Sequence, residues 1–274
     1  MPAPASRCRF TGPTAAAPAV ALAPAVAVLA VLAVLALAVL APRSAAAQET
    51  ITSDRPGLGS GSFVVDPGIL QFEIGGEYAE SDATDRISIG QGLLRYGVVD
   101  GLELHGIVGS FVVLPGDDDG TRGLLDVGLG AKLRLPSPDP ALNWSVLGTV
   151  LFPTGAERLT ADEIVPAATF LADVALPEGV GVTLNVGASG WGTDAGDQIV
   201  LTLTPSVALP GSRPIAVYGG YAGYYASGDA DLHYVEAGLT WLRAADLQLD
   251  VNSGVEVDGD GWFVGIGVAK RWRP

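Results

Sequence analysis

Between Leu247 and Asp258 the chain reads LQLDVNSGVEVD, with apolar and polar residues in regular turn. Leu247, Leu249, Val251, Val255 and Val257 share one face, and Gln248, Asp250, Asn252, Glu256 and Asp258 share the other. A period of two marks an extended strand with one dry side and one wet side. The pattern recurs along the chain. Leu70, Phe72, Ile74 and Tyr78 alternate with Gln71, Glu73, Gly75 and Glu77, and Leu125, Val127, Leu129, Ala131 and Leu133 alternate with Asp126, Gly128, Gly130, Lys132 and Arg134. Twelve such segments are predicted, near 68–80, 86–97, 101–113, 121–135, 142–153, 164–176, 179–190, 198–209, 214–226, 231–243, 246–257 and 261–273. The second and ninth break parity, which bulges at their glycines would explain. Segments of about ten to fourteen residues exceed the usual strand of a soluble sheet and match tilted strands that cross a bilayer.

The connections fall into two sets. VVDGL, LPSPDPAL, LPEGV, LPGSRP and RAADL follow even-numbered strands, whereas the more acidic ESDATD, LPGDDDGT, PTGAERLTADE, WGTDAGD, SGDAD and VDGDG follow odd-numbered ones. In an antiparallel array with an even strand number the two sets lie at opposite ends. Both termini are then expected on the periplasmic side, with the loops around Asp118, Thr160 and Asp229 outside and the turns at Ser137 and Ser212 opposite them.

The first residues have another character. Arg7 and Arg9 precede an unbroken apolar stretch from Ala25 to Ala41, and Pro42, Ala45 and Ala47 follow. This predicts a secretory signal over 1–47 cleaved before Gln48, with an uncleaved anchor as the alternative. The segment holds three arginines, no acid and Cys8, the sole cysteine, so its removal deepens the net charge from −15 to −18. Such a charge argues against nucleic acid and against docking on anionic lipid. Beyond residue 48 every longer apolar run is broken by charge, Gly or Pro, so no helical span is expected.

Two architectures accommodate these strands: a soluble sandwich, and a single twelve-stranded antiparallel transmembrane β-barrel with apolar residues towards lipid. Tyr78, Trp144, Phe152, Trp191, Trp241, Trp262 and Trp272 sit towards strand ends, where membrane girdles belong. The polar faces mix ionic residues with glycine, as a crowded lumen would. Both features favour the barrel, over 68–274, preceded by an irregular periplasmic lead-in over 48–67.

TSDRPGLGSGSFVVDPGILQFEIGGEY, from Thr52 to Tyr78, carries a family resemblance. Asp54, Arg55 and Pro56, then Gly68, Leu70, Gln71 and Glu73, resemble the opening of the bacterial outer-membrane transporter family associated with the MetA pathway of phenol degradation. The resemblance implies a Gram-negative outer-membrane barrel, assembled by the barrel-assembly machinery, that passes hydrophobic or aromatic solutes. Arg273 and Pro274 depart from the terminal aromatic such barrels commonly carry.

Chemistry of its own is weakly signalled. No Gly-x-Ser-x-Gly elbow surrounds any serine, and only His105, on the face of Glu103, could serve a lumenal Ser110. GDDDG and DGDG lack EF-hand spacing and read as solvated loop tips. The expectation is therefore no enzyme, no cofactor and no metal. The pore-lining candidates are Glu73, Glu77, Glu103, His105, Asp126, Lys132, Arg134, Asp173, Glu236, Asp250, Glu256 and Arg271. A loop centred near Asp117 sets Glu103 opposite Lys132. Arg271 is expected beside Gln248 and Asp250 and, if the barrel closes, near Glu73. The excess of acids predicts a preference for cations in a passive channel for small solutes. A non-transporting envelope barrel and a soluble periplasmic β-protein are the alternatives.

Overall fold

A computed structural model describes residues 50–81, 85–115, 120–194, 196–209, 214–227 and 231–273. The signal segment and Asp118, Asp229 and Ser212 lie outside the described residues. Twelve strands run in sequence: β1 (Leu70–Glu80), β2 (Arg86–Ile89 and Gly92–Val99), β3 (Leu102–Val108 and Phe111–Val113), β4 (Arg122–Leu124 and Val127–Arg134), β5 (Leu142–Phe152), β6 (Val165–Ala175), β7 (Val180–Ser189), β8 (Gln198–Ala208), β9 (Ile215–Ala226), β10 (Leu232–Ala244), β11 (Leu247–Glu256) and β12 (Trp262–Trp272). Each pairs antiparallel with its neighbours in sequence. The sheet then closes on itself, β1 pairing with β12 from Leu70↔Trp272 to Glu80↔Trp262. Among the described residues only the short piece Arg122–Leu124 keeps an unpaired side, and the first and last described residues meet at one rim.

Burial is inverted relative to a water-soluble protein. Arg95, Lys132, Glu73 and Glu103 are 0% exposed, whereas Ile266 is 65%, Leu129 60% and Ile89 59% exposed. The aliphatic face is the outer wall, and the ionic face is enclosed. That excludes the sandwich, in which the apolar faces would be the buried ones. Tyr96, Trp144, Trp241 and Trp272 ring the outside at the terminal rim. At the other rim Tyr78 packs on Trp262 with ring centroids 5.3 Å apart.

Three strands are interrupted, and the interruptions redirect side chains. In β2 the N–H groups of Gly90 and Gln91 both donate to the single carbonyl of Gly75, at 2.9 and 3.0 Å. Two residues facing one is a bulge, and Gly90 at φ +81° takes the left-handed turn it requires. Ser88 and Arg95, of opposite parity, therefore both point inward. A matching break couples β3 and β4, where Leu125 N–H donates to Ser110 O at 2.9 Å. The break expected in the ninth strand is absent: β9 keeps one register against β8 throughout. Its mixed pattern arises because Tyr221 and Tyr225 face out while Tyr218 and Tyr224 face in.

Two turns at the terminal rim, Val99–Leu102 and Ala244–Leu247, are tight. Asp246, between β10 and β11, is bonded by the Lys270 ammonium, and that bond, against the opposing effect of burial, holds its carboxyl below the usual carboxylate range.

The outer wall is expected to show depth dependence. Ile266→Arg, mid-strand on β12, should cost roughly 2–4 kcal/mol and deplete the folded band in heat-modifiability gels, whereas Val257→Arg beyond the end of β11 should cost roughly 0–1. Equal losses would contradict the placement of the hydrocarbon layer.

Candidate functional site

The lumen is not empty. Residues 50–67 fold back inside the barrel, where an irregular lead-in outside it was expected. Thr50 O accepts from Arg271 Nη1 at 2.9 Å, and Ile51 N–H donates to Ala245 O at 2.8 Å, which fixes the start of the segment at the terminal rim. From Arg55 onward the chain follows the inner circumference. Arg55 Nη2 reaches Asp250 of β11 at 3.4 Å and Ile266 O of β12 at 3.2 Å. Leu58 N–H donates to Glu236 of β10 at 2.9 Å, and Ser60 N–H to Asn185 of β7 at 2.6 Å. Ser62 Oγ meets Asp173 of β6 at 2.6 Å and the Asn143 amide of β5 at 2.8 Å. Val65 N–H closes on Glu103 of β3 at 2.5 Å, and Gly68 N–H on Gly97 O of β2 at 2.8 Å. The segment is a strap, pinned at both ends and laid round the wall.

Glycine makes room for it. Gly75 of β1 and Gly267 of β12 face each other across the seam, and a Cβ on either would collide with the Arg55 guanidinium. On the strap itself Gly57 and Gly59 lie against Glu236 and against Asn185 and Thr202. The alternation in Gly57-Leu58-Gly59-Ser60-Gly61-Ser62 is a period of two written in glycine, which lets a backbone lie close on a wall.

One side of the strap is held by a buried ionic cluster. Arg95 ties Glu73 at 3.1 Å, Glu103 at 2.9 Å and the strap's Asp54 at 3.2 Å. Lys132 Nζ binds Asp54 at 2.8 Å, Glu103 at 3.5 Å and Gly61 O at 2.8 Å. His105 Nε2 lies 2.5 Å from Glu103 Oε1. Three carboxylates thus share an arginine, a lysine and an imidazole, with side chains at most 8% exposed. Asp54, Glu103 and His105 also bring ligand atoms within 4.8 Å of one another. Arg95 and Lys132 already occupy those carboxylates, so a divalent cation would have to displace them.

The predicted partners separate into those the barrel joins and those it does not. Glu103 stands opposite Lys132 as expected. Arg271 lies opposite Gln71, which it bonds at 3.2 Å, while Asp250 faces Gly267 and Gln248 faces Ala269. Glu77 pairs with Arg86 at 2.7 Å, and Arg134 with Asp100 at 2.5 Å near the terminal rim. Glu256 sits towards the opposite rim, across from Tyr234. Asp126, expected on the face of Lys132, sits in the gap within β4 and accepts from the N–H groups of Thr154, Gly155 and Ala161 at 2.9, 2.8 and 3.1 Å. His105 engages Glu103, and no hydrogen bond joins it to Ser110 among the described residues. His233 faces outward, stacked on Tyr221 and bonded to its hydroxyl at 2.7 Å. Arg95, the hub of the cluster, was not among the candidates. Its signal was present as a second arginine, after Arg86, in a strand whose parity fails beside Gly90.

Removing the hub leaves Glu73 without a cation and Asp54 and Glu103 with Lys132 alone. Arg95→Leu should lower barrel stability by roughly 3–5 kcal/mol, and Arg95→Lys should recover only part of it because two-pronged pairing with Glu103 is lost. Denaturant midpoints in detergent micelles measure this, and an unshifted midpoint for Arg95→Leu would show that the cluster holds nothing.

In sequence the chain matches the family described as "Putative MetA-pathway of phenol degradation" over residues 53–272. No curated protein matches it. The fold is similar to that of an outer membrane channel from Pseudomonas putida F1, with a TM-score of 0.60, 15% identity and coverage of 80% of this chain and 99% of that one. It is also similar to the NanC porin, with a TM-score of 0.52, 8% identity and coverage of 73% and 98%. The match spans the strap from Ser53 onward and all twelve strands, and the chain belongs to the MetA-pathway-of-phenol-degradation family.

Proposed function

We propose that the protein is an outer-membrane channel for small solutes whose lumen is narrowed by its own strap. The observation that carries this reading is the inverted barrel: an aliphatic belt outside, a closed sheet and an ionic, partly filled interior. The family match and the likeness in fold to outer-membrane channels support it. In this reading both termini and the tight turns face the periplasm, and the longer connections, such as 153–164, face outward. The family description makes aromatic compounds the first solutes to try. The lumen offers positioning groups and a passage, and the reaction chemistry stays elsewhere.

A second reading has one observation in its favour. The strap bonds to β1–β7 and β10–β12, so the same barrel could serve as a braced, closed element of the envelope. Conductance separates the two. In planar bilayers the intact protein should give small single-channel currents, and deletion of residues 53–65 should raise them several-fold. Silence from both forms would support the closed element; equal currents would show that the strap does not narrow the path.

A further inference from the structure

A cavity of about 280 Å³ lies between the strap and the wall of β6–β11. Its barrel side is largely hydroxyl, from Thr183, Thr204, Ser206, Tyr218 and Thr240. Three charged residues reach it: Asp54, Arg55 and Asp173. Two are already matched, Asp54 by Lys132 and Arg95, and Arg55 by Asp250. Asp173 differs. It accepts from Ser62 N–H and Ser62 Oγ, both at 2.6 Å, and from the Thr183 hydroxyl. No lysine or arginine pairs with it among the described residues. Neutral donors orient a carboxylate without cancelling its field.

We propose that Asp173 sets the charge preference of the pore and that the hydroxyl-lined cavity is a site for small cations, alkali-metal ions and short alkylammonium ions. The proposal rests on the channel reading and deepens it. The expectation from composition was that acids such as Glu103 would act together. The structure divides them, because Glu103 and Glu73 are fully buried and bound to Arg95. A charge so neutralised contributes little to the potential along the path, whereas an unmatched carboxylate at a constriction attracts cations as acidic rings do in channels. The hydroxyls of Thr183, Thr204 and Ser206 can replace part of a cation's hydration shell.

Reversal potentials in a potassium chloride gradient test this. The intact channel should prefer cations, and Asp173→Asn, which keeps the acceptor for Ser62, should reduce the permeability ratio several-fold. Should that variant assemble poorly, Thr183→Cys in a Cys8→Ser background gives a second reading on an assembled channel. A cationic thiol reagent should lower cation preference there, and an anionic one should raise it. An unchanged ratio in Asp173→Asn, or identical effects of the two reagents, would overturn the proposal. Absence of current with and without the strap would overturn the channel reading and this inference with it.

Discussion

Within a hydrocarbon layer every backbone N–H and C=O has to find its partner inside the protein, and a sheet meets that condition when its last strand pairs with its first. Here the seam between β1 and β12 runs the full length of both strands. The rest follows from that closure. Once the sheet is a cylinder in lipid, one face of every strand must be aliphatic and the other is shut inside. The two-residue period then delivers ionic side chains into a confined space, where an unmatched charge is costly.

The strap answers that constraint by bringing complementary charge into the lumen. Asp54 meets Lys132 and Arg95, and Arg55 meets Asp250, so the two adjacent charges serve opposite walls. Its main-chain N–H groups supply donors for Glu103, Glu236, Asn185 and Asp173. Lumenal glycines and strap glycines are two halves of one packing solution, since the guanidinium of Arg55 fits only where Gly75 and Gly267 leave the wall bare. The distribution of charge is uneven as a result. The β1–β4 side is dense and neutralised, and the β6–β11 side is open and hydroxyl-rich.

Much of the barrel was legible because period two is a direct readout of which face a residue takes. Strand number and the two sets of connections follow from it, and the Glu103–Lys132 opposition follows once the loop centre near Asp117 is added. What the period could not reveal lies where it fails. Arg95 escaped because the bulge at Gly90 and Gln91 shifts the parity of β2, so its face could not be read from its neighbours. Asp126 looked lumenal by parity but lies in the break of β4, where loop N–H groups claim its carboxylate. Arg271 was placed by assuming a register for the last hairpin that differs from the observed one, in which Leu247 stands opposite Lys270. The strap has no secondary structure of its own, and its position depends on contacts spread over nearly the whole sheet. Its one local signal was the alternating glycine of 57–61 after Asp54-Arg55-Pro56.

Residues 50–67 reside within the barrel, and a cross-link tests that placement most directly. The side chains of Ser62 and Asn143 meet at 2.8 Å inside the lumen. With Cys8 replaced by serine, Ser62→Cys and Asn143→Cys together should form a disulfide in intact membranes, and cleavage of the chain between the two positions should leave the fragments joined until reduction. Failure of the pair to cross-link, with Ser62→Cys freely labelled by a bulky impermeant reagent, would place the strap outside the barrel and contradict the account.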